Sequence, residues 1–486
     1  MHVLTCRAEP YGPARRWIFR QIEQKREDEP MQTKIRKARR LLALLVALAA
    51  LLSACQPTPA EEIIVNRGDG ALEAAIAATA PPAQPYQVPS VWQETMEVDG
   101  VICRFDAEVS MPANSAHEVY RVRRRSFDTD VLQSFLQSLP AAPEAAYETA
   151  ETVEQVQAQI EAVLRGEPWD LDGNGNIVYR PYADEEERIA ELQAALLQAE
   201  QIEMLSPEAV DLSAVPFRYT YVLPDGVHWS VGMSENGFFA LTYGDARLQP
   251  ESDVQLGFAR FEEPPGTTIG AVSVDEEAAA ARAQAALAAL GAEHLGVARI
   301  EKGRICSQYQ EDILSTGYIV SFARSDGGSI PVDVAKETAV GLLQYEPSEY
   351  APPWPPERAE VYVDAQGVQS IWWTDPVTVT ETVNENVALL PFEKIQARVR
   401  DLIRYGLSWL PEDVETTVEV TQIVLANVLC REKDSQEDGL LLPCWIVRYE
   451  NTDSFGVTMQ TVIAVSAIDG SRVDPLQLMA LAPTAS

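Results

Sequence analysis

Histidine, cysteine and basic charge are all scarce in this chain of 486 residues, and each shortage excludes something. Four histidines are present. His117, His228 and His294 stand far apart, with no second His or Cys at metal-ligand spacing, which argues against a zinc site. His117-Glu118 lacks the second histidine one turn on that a zincin helix needs, and no nucleophile elbow, P-loop or dinucleotide fingerprint occurs. Basic residues number 38 against 73 acidic ones, a formal charge of −35. Such a surface repels phosphate backbones, so nucleic acid is excluded as a partner. A bilayer-spanning helix takes about 20 apolar residues, whereas the run Leu41–Leu52 has 12.

That short run is informative for what flanks it. Lys34, Arg36, Lys37, Arg39 and Arg40 precede it as a cationic n-region, and Leu52-Ser53-Ala54-Cys55 closes it with small residues and a cysteine. The tetrapeptide resembles the lipobox of bacterial lipoprotein precursors. The resemblance implies a diacylglyceryl group on Cys55, cleavage just before it, and a protein held at the outer face of the cell membrane through its lipid. Residues 31–54 then form the signal peptide. Residues 1–30, with Glu23, Glu27, Asp28 and Glu29, read as an over-extended start, Met31 being the better one.

Removing the precursor sharpens the charge. Residues 1–54 hold 11 of the 38 Lys+Arg and 5 of the 73 Asp+Glu, which leaves 27 basic against 68 acidic residues from Cys55 on, a formal charge of −41. With 46% hydrophobic residues the mature chain has ample material for packed cores. Pro57, Pro59 and the prolines from Pro81 to Pro89 mark residues 55–90 as a lipidated tether, with a short Ala-rich helical turn at 72–78.

From Val91 the hydrophobic period alternates between 2 and 3.6. Residues 91–111 predict a hairpin around Val98-Asp99-Gly100, which residues 117–125 extend into a meander; 129–139, 150–164 and 185–204 predict helices; 217–243 predict strands with turns at Pro224-Asp225-Gly226 and 234–237. A helix opened by Ser273 and strands at 295–305, 317–323 and 329–335 follow, and a second helix (392–405) leads into strands at 414–429, 441–449 and 458–467. The expected class is therefore α+β: antiparallel sheets with packed helices, in a domain at 91–265 and another at 266–486. The second contains a duplicated helix-plus-three-strand unit split by a Pro-rich linker at 347–356.

Three groups of residues invite chemistry. Asp170, Asp172, Asn174 and Asn176, with Gly175 at the sharp turn and Ile177 beyond it, match the opening of a Ca2+ loop, but the position of the bidentate Glu falls at Pro181, and an Asx/Gly turn explains the same residues. Phe217, Tyr219 and Tyr221 with Trp229 form an aromatic face that reads as core before it reads as a sugar platform. Cys430 and Cys444 flank a polar turn ending in Asp438-Gly439, so a disulfide is expected where the turn register sets them face to face.

The hairpin Ala359–Val368 leading to Trp372-Trp373 and Asp375-Pro376, the Leu390-Pro391-Phe392-Glu393 helix start, Leu442-Pro443-Cys444-Trp445 and Ala467-Ile468-Asp469-Gly470-Ser471, together with the lipobox, resemble a family of lipoproteins from gut Firmicutes known as a domain of unknown function. The closing strands and the Ile-Asp-Gly turn are also similar to PepSY-like and YycI-like extracytoplasmic domains, which implies a non-catalytic regulatory or inhibitory role and an extracytoplasmic protein partner. The expected function is a membrane-anchored binding or regulatory module. The alternatives are a hydrolase of a cell-wall or dietary polymer, in which two of the many carboxylates would meet in a cleft, and a solute-binding lipoprotein, which would show two lobes of parallel βα units.

Overall fold

Two long hairpins organise the molecule. Strands average five or six residues in globular proteins; here Leu295–Ser307 pairs with Gln310–Arg324, and Thr416–Arg431 with Asp438–Asp453, 13 to 16 residues each. The computed structural model describes residues 71–78, 86–113, 116–139, 141–149, 153–164, 169–171, 177–179, 185–214, 216–233, 240–243, 248–252, 271–307, 310–334, 352–408, 410, 416–432, 435, 437–453 and 458–474. The fold is α+β, with each long hairpin in its own sheet.

Around Thr416–Asp453 the sheet runs through Val91–Val98, Val101–Ser110, the long hairpin, Thr458–Ser466 and Arg472–Val473, with Val119–Arg124 and Val377–Asn384 attached at the hairpin's turn end. The helix Phe392–Leu407 covers one face. Its Phe392, Ile395, Val399, Leu402 and Ile403 are buried at steps of three and four, against Trp445, Val447, Ile463 and Val465. The other face is covered too, by Ile76, Val334 and Val387 over Ala426, Val428, Cys444 and Ile446. That double cover explains why the second half of Thr416–Arg431 is buried on both faces, where its first half alternates.

Around Leu295–Arg324 the second sheet runs Leu248–Ser252, the hairpin, Arg358–Asp364, Gly367–Thr374, Ala240–Tyr243, His228–Met233, Phe217–Val222 and Ala145–Glu148. The Ala-rich helix Glu276–Ala289 lies on it through Ala279, Ala283 and Leu287, small residues that let helix and sheet approach closely. Its cap is Asp275, whose carboxylate accepts from the Ala278 N–H at 3.1 Å, and not Ser273. Phe217, Tyr221 and Trp229 are buried in this core, the place expected of them.

Several expectations change. The sheets do not separate at residue 265: strands from 91–124 join those from 377–473 in one sheet, and strands from 145–252 join those from 295–374 in the other. The first three strands form no meander. Asp99 and Gly100 adopt φ of 50° and 84° and close the 91–110 hairpin with a two-residue turn, but Val101–Ser110 then runs parallel to Thr416–Arg431, and Val119–Arg124 pairs with Val377–Asn384 and with the Asp438–Leu441 end of the long hairpin. The order helix, hairpin, third strand does recur in both sheets. In the first unit, however, the third strand is Arg358–Asp364, and residues 329–333 belong to no strand.

Part of the expected tether is folded onto the body. The helix Ala71–Ala77 buries Ile76, Asn384 donates to the Ile76 carbonyl at 2.6 Å, and the Tyr86 hydroxyl donates to the Leu390 carbonyl at 2.6 Å. Among the described residues no helix is long and apolar enough to cross a membrane.

Candidate functional site

Four segments among the described residues span the two sheets: 124–129 and 374–377 pass from one to the other, and 324–334 and 354–358 are the ends of a connection that leaves the second sheet, reaches the first through Val334 and Trp354, and returns. Each crossing contributes a charged side chain to one buried cluster. Glu357, with a fully buried side chain, accepts from Trp373 Nε1 at 3.0 Å, shares a hydrogen bond with His294 Nε2 at 3.0 Å and accepts from Arg324 Nη1. Arg324 also grips Asp326 through two bonds of 2.6 and 2.9 Å and donates to the Val377 carbonyl at 3.1 Å. Burial works against the Glu357 charge, but the His294 bond and the Arg324 charge offset it and hold the carboxyl below its usual range.

Asp375 sits a few residues away on the last crossing. It is buried at φ 49° and accepts from Arg124 Nη2 at 2.5 Å, while the Arg125 N–H donates to the Pro376 carbonyl at 2.9 Å. Here burial wins over Arg124 and Arg358, and the Asp375 carboxyl is pushed up to about 6. This end of the seam is closed and its charges answer one another, which is the chemistry of a joint.

Farther along, the seam opens into a cleft of about 280 Å3. Ala298 and Arg299 line it from one sheet; Thr421, Arg448, Glu450, Gln460 and Thr461 line it from the other. Both walls are shaped by a β-bulge. In the first hairpin Val297 pairs with Phe322 and Arg299 with Ser321, so Ala298 is the extra residue; in the second, Val420 pairs with Tyr449 and Gln422 with Arg448, so Thr421 is. A bulge re-aims the side chains that follow it and favours the neighbourhood of sites. Its consequence is visible in the packing. The inward residues are Leu295 and Val297 before the first bulge and Ile300 after it; they are Val418 and Val420 before the second and Ile423 and Leu425 after it. Arg299 forms an ion pair with the buried Glu301 at 2.8 Å, Arg448 donates to Gln422, and Gln460 donates to Glu450 at 2.7 Å.

None of these residues was singled out by the sequence, although the one-residue slip in hydrophobic phase at both bulges is written there. The residues that were singled out lie elsewhere. Cys55 and the whole signal region fall outside the described residues, as do Asp172, Asn174 and Asn176. Asp170 lies on Trp169–Leu171, which pairs with Ile177–Tyr179, so the Asp/Asn run joins two strands of a small hairpin. Cys430 and Cys444 are free, buried thiols. By register Cys430 stands opposite Leu440 and Cys444 opposite Ala426, so the two are not direct cross-strand partners, yet their thiols interact within one apolar cluster. Burial pushes the Cys444 thiol well above its ordinary value. The histidines stand apart from one another: His228 meets the Tyr147 hydroxyl at 3.1 Å, His294 meets Glu357, and burial lowers the pKa of His117.

No family model matches the chain, and no curated protein matches it. A crystal structure of an uncharacterized protein from Eubacterium rectale ATCC 33656 aligns over 83% of this chain and 98% of that one, with a TM-score of 0.44 and 13% sequence identity. That likeness is too remote to argue from.

Proposed function

We propose that the protein is a lipid-anchored extracytoplasmic lipoprotein that works as a non-catalytic binding or regulatory module, with its ligand held in the cleft between the two sheets. The observation that carries this reading is the pair of bulges, Ala298 and Thr421, facing one cleft from the two sheets. Interfaces between structural layers are common places for small-molecule sites, and a cleft near the lower end of the ~300–1,000 Å3 range suits a small molecule. The lipobox at Leu52–Cys55 supports the anchor and the compartment.

A hydrolase of polymers is the second reading. It would use two carboxylates roughly 5–9.5 Å apart, and the residues lining this cleft include one carboxylate, Glu450. A solute-binding role is compatible with the cleft, carried on antiparallel sheets in place of parallel βα lobes.

Two measurements test the proposal. Ala298→Trp should fill the cleft and abolish the thermal stabilisation that the low-molecular-weight fraction of spent growth medium gives to the full-length protein; stabilisation that survives this substitution sinks the cleft reading. Cys55→Ser should leave the protein unprocessed or shed, since two acyl chains suffice for stable attachment where one is marginal. A Cys55→Ser protein that is processed and fractionates with membranes like the parent removes the anchor.

A further inference from the structure

Building on the reading of the cleft as a binding site, we infer that its ligand is a small organic carboxylate that also carries a hydroxyl or ammonium group, gripped by Arg299 and Arg448 and oriented by Glu450. The two guanidiniums come from opposite sheets and meet at one cleft because each lies at a bulge, Arg299 following the extra residue and Arg448 pairing with the residue after it. In a chain with a formal charge of −35, two guanidiniums on facing walls of one cleft give an anion directed N–H donors, their charge being balanced by Glu301 and Glu450. A planar fork of five N–H donors can hold a carboxylate through two parallel bonds while it keeps a side-chain partner, as Arg299 keeps Glu301 and Arg448 keeps Gln422.

Glu450 narrows the class. Its negative charge in the same wall works against a phosphate dianion and favours a monoanion, and its carboxylate is an acceptor for an N–H or O–H of the ligand. Gln460, donating to Glu450 Oε1 at 2.7 Å, fixes that acceptor in place. The hydroxyl of Thr421, on the second bulge, adds a donor and acceptor beside the guanidiniums. At about 280 Å3 the cleft takes one small molecule and leaves no room for a polymer segment.

Calorimetric titration of the full-length protein in detergent tests this, with lactate, alanine and glucuronate as carboxylate probes and the methyl ester of glucuronate, methyl glucoside and inorganic phosphate as controls. At least one of the three carboxylates should bind saturably. The ester should bind about tenfold or more weaker than the acid, and Arg448→Gln should weaken the bound carboxylate by a similar factor with an unchanged unfolding midpoint. Arg299→Lys keeps a charge beside Glu301 but loses the fork, so it should weaken binding severalfold and leave the fold intact. No saturable binding of any of the three carboxylates at about 10 mM overturns the inference. So does tighter binding of phosphate, or equal binding of acid and ester. Binding of methyl glucoside that Ala298→Trp blocks and Arg448→Gln spares overturns the carboxylate while leaving the cleft as the site; binding that Ala298→Trp spares removes the cleft itself.

Discussion

The two ends of the inter-sheet seam use the same residue types to opposite ends. At the closed end Glu357 and Asp375 are buried and ion-paired, with Arg324 and with the half-buried Arg124 respectively, where the chain crosses between sheets. At the open end Arg299, Arg448 and Glu450 stand on bulged strands around a cleft. Arginine and glutamate therefore say little about role by themselves. What decides is whether the backbone around them is regular and sealed or bulged and open, because sealed charges must satisfy each other while open ones can be satisfied by a ligand.

The sharpest way to break that comparison is to remove one charge from each end. Glu357→Ala leaves the buried Arg324 guanidinium, the His294 ring and the Trp373 N–H without their shared acceptor, and should cost about 3–5 kcal/mol of unfolding free energy in denaturant. Arg448→Gln, at the half-buried open end, should cost at most ~1 kcal/mol. Similar losses for the two would mean that the cleft is a joint as well.

Acidity separates the ends next. The Asp375 carboxyl is raised to about 6 from 3.8, so between pH ~4 and ~6 the folded state binds more protons than the unfolded one at this group, and stability falls as pH rises through that window. At ~1.4 kcal/mol for each tenfold change in proton affinity, the loss comes to roughly 3 kcal/mol. Asp375→Asn should flatten the stability profile between pH 4 and 6, and asparagine tolerates the positive φ of this site. Glu357 acts with the opposite sign: its carboxyl is held below the usual range, so the stability it contributes is present above the unfolded value and is lost as pH falls through the lower folded one. A wild-type minus Asp375→Asn difference that is flat from pH 4 to 6 would detach Asp375 from this account.

Much of this fold was legible in the chain. The 3.6-residue spacing of Phe392, Ile395, Val399 and Leu402 and the alternation along the long strands mark one helix face and one sheet face directly. What periodicity does not carry is partnership. That Val101–Ser110 pairs in parallel with Thr416–Arg431 is fixed by which apolar faces can be buried together across some 300 residues, and no local signal in either strand names the other. The same limit hides how the strands divide between the sheets, since each sheet draws strands from both halves. The cysteine pair is a narrower case: the pairing of the two strands places Leu440, not Cys444, opposite Cys430, and the two thiols meet across that offset in a way no spacing in the sequence shows. The cleft residues were hidden because a bulge is one residue out of phase, a small signal that is easily read as noise in an alternating run.

The thiols allow a smaller test of the sealed interior. Cys103, Cys430 and Cys444 are all buried, and burial pushes the Cys103 thiol up to about 11. Alkylation of the folded protein at pH 8 should therefore be slow at all three and become complete only on unfolding, because the thiolate is the reacting form. Rapid labelling of Cys103 in folded protein would show that the helix Phe392–Leu407 does not seal this sheet as described.

The smallest effect is expected at the Asp170–Asn176 run. Its hairpin stands between the helices Val153–Leu164 and Glu185–Ala199, and those two share a small core of Val156, Val163, Leu192 and Ala199 that is separate from the cores of the sheets. If the loop takes Ca2+, the missing bidentate Glu at Pro181 places it among the weak sites, with Kd near 10−4–10−3 M. Ten times that concentration adds about 1.4 kcal/mol to the state that holds the site, and because the helix pair has its own core, the gain belongs first to local opening of that pair. Hydrogen exchange in residues 153–164 and 185–199 should slow in millimolar calcium, with residues 416–453 unaffected, and Asp170→Ala with Asp172→Ala should abolish the change. Slowing that magnesium reproduces equally, or that survives the double substitution, assigns the loop to an ordinary Asx/Gly turn and the effect to screening of an acidic surface.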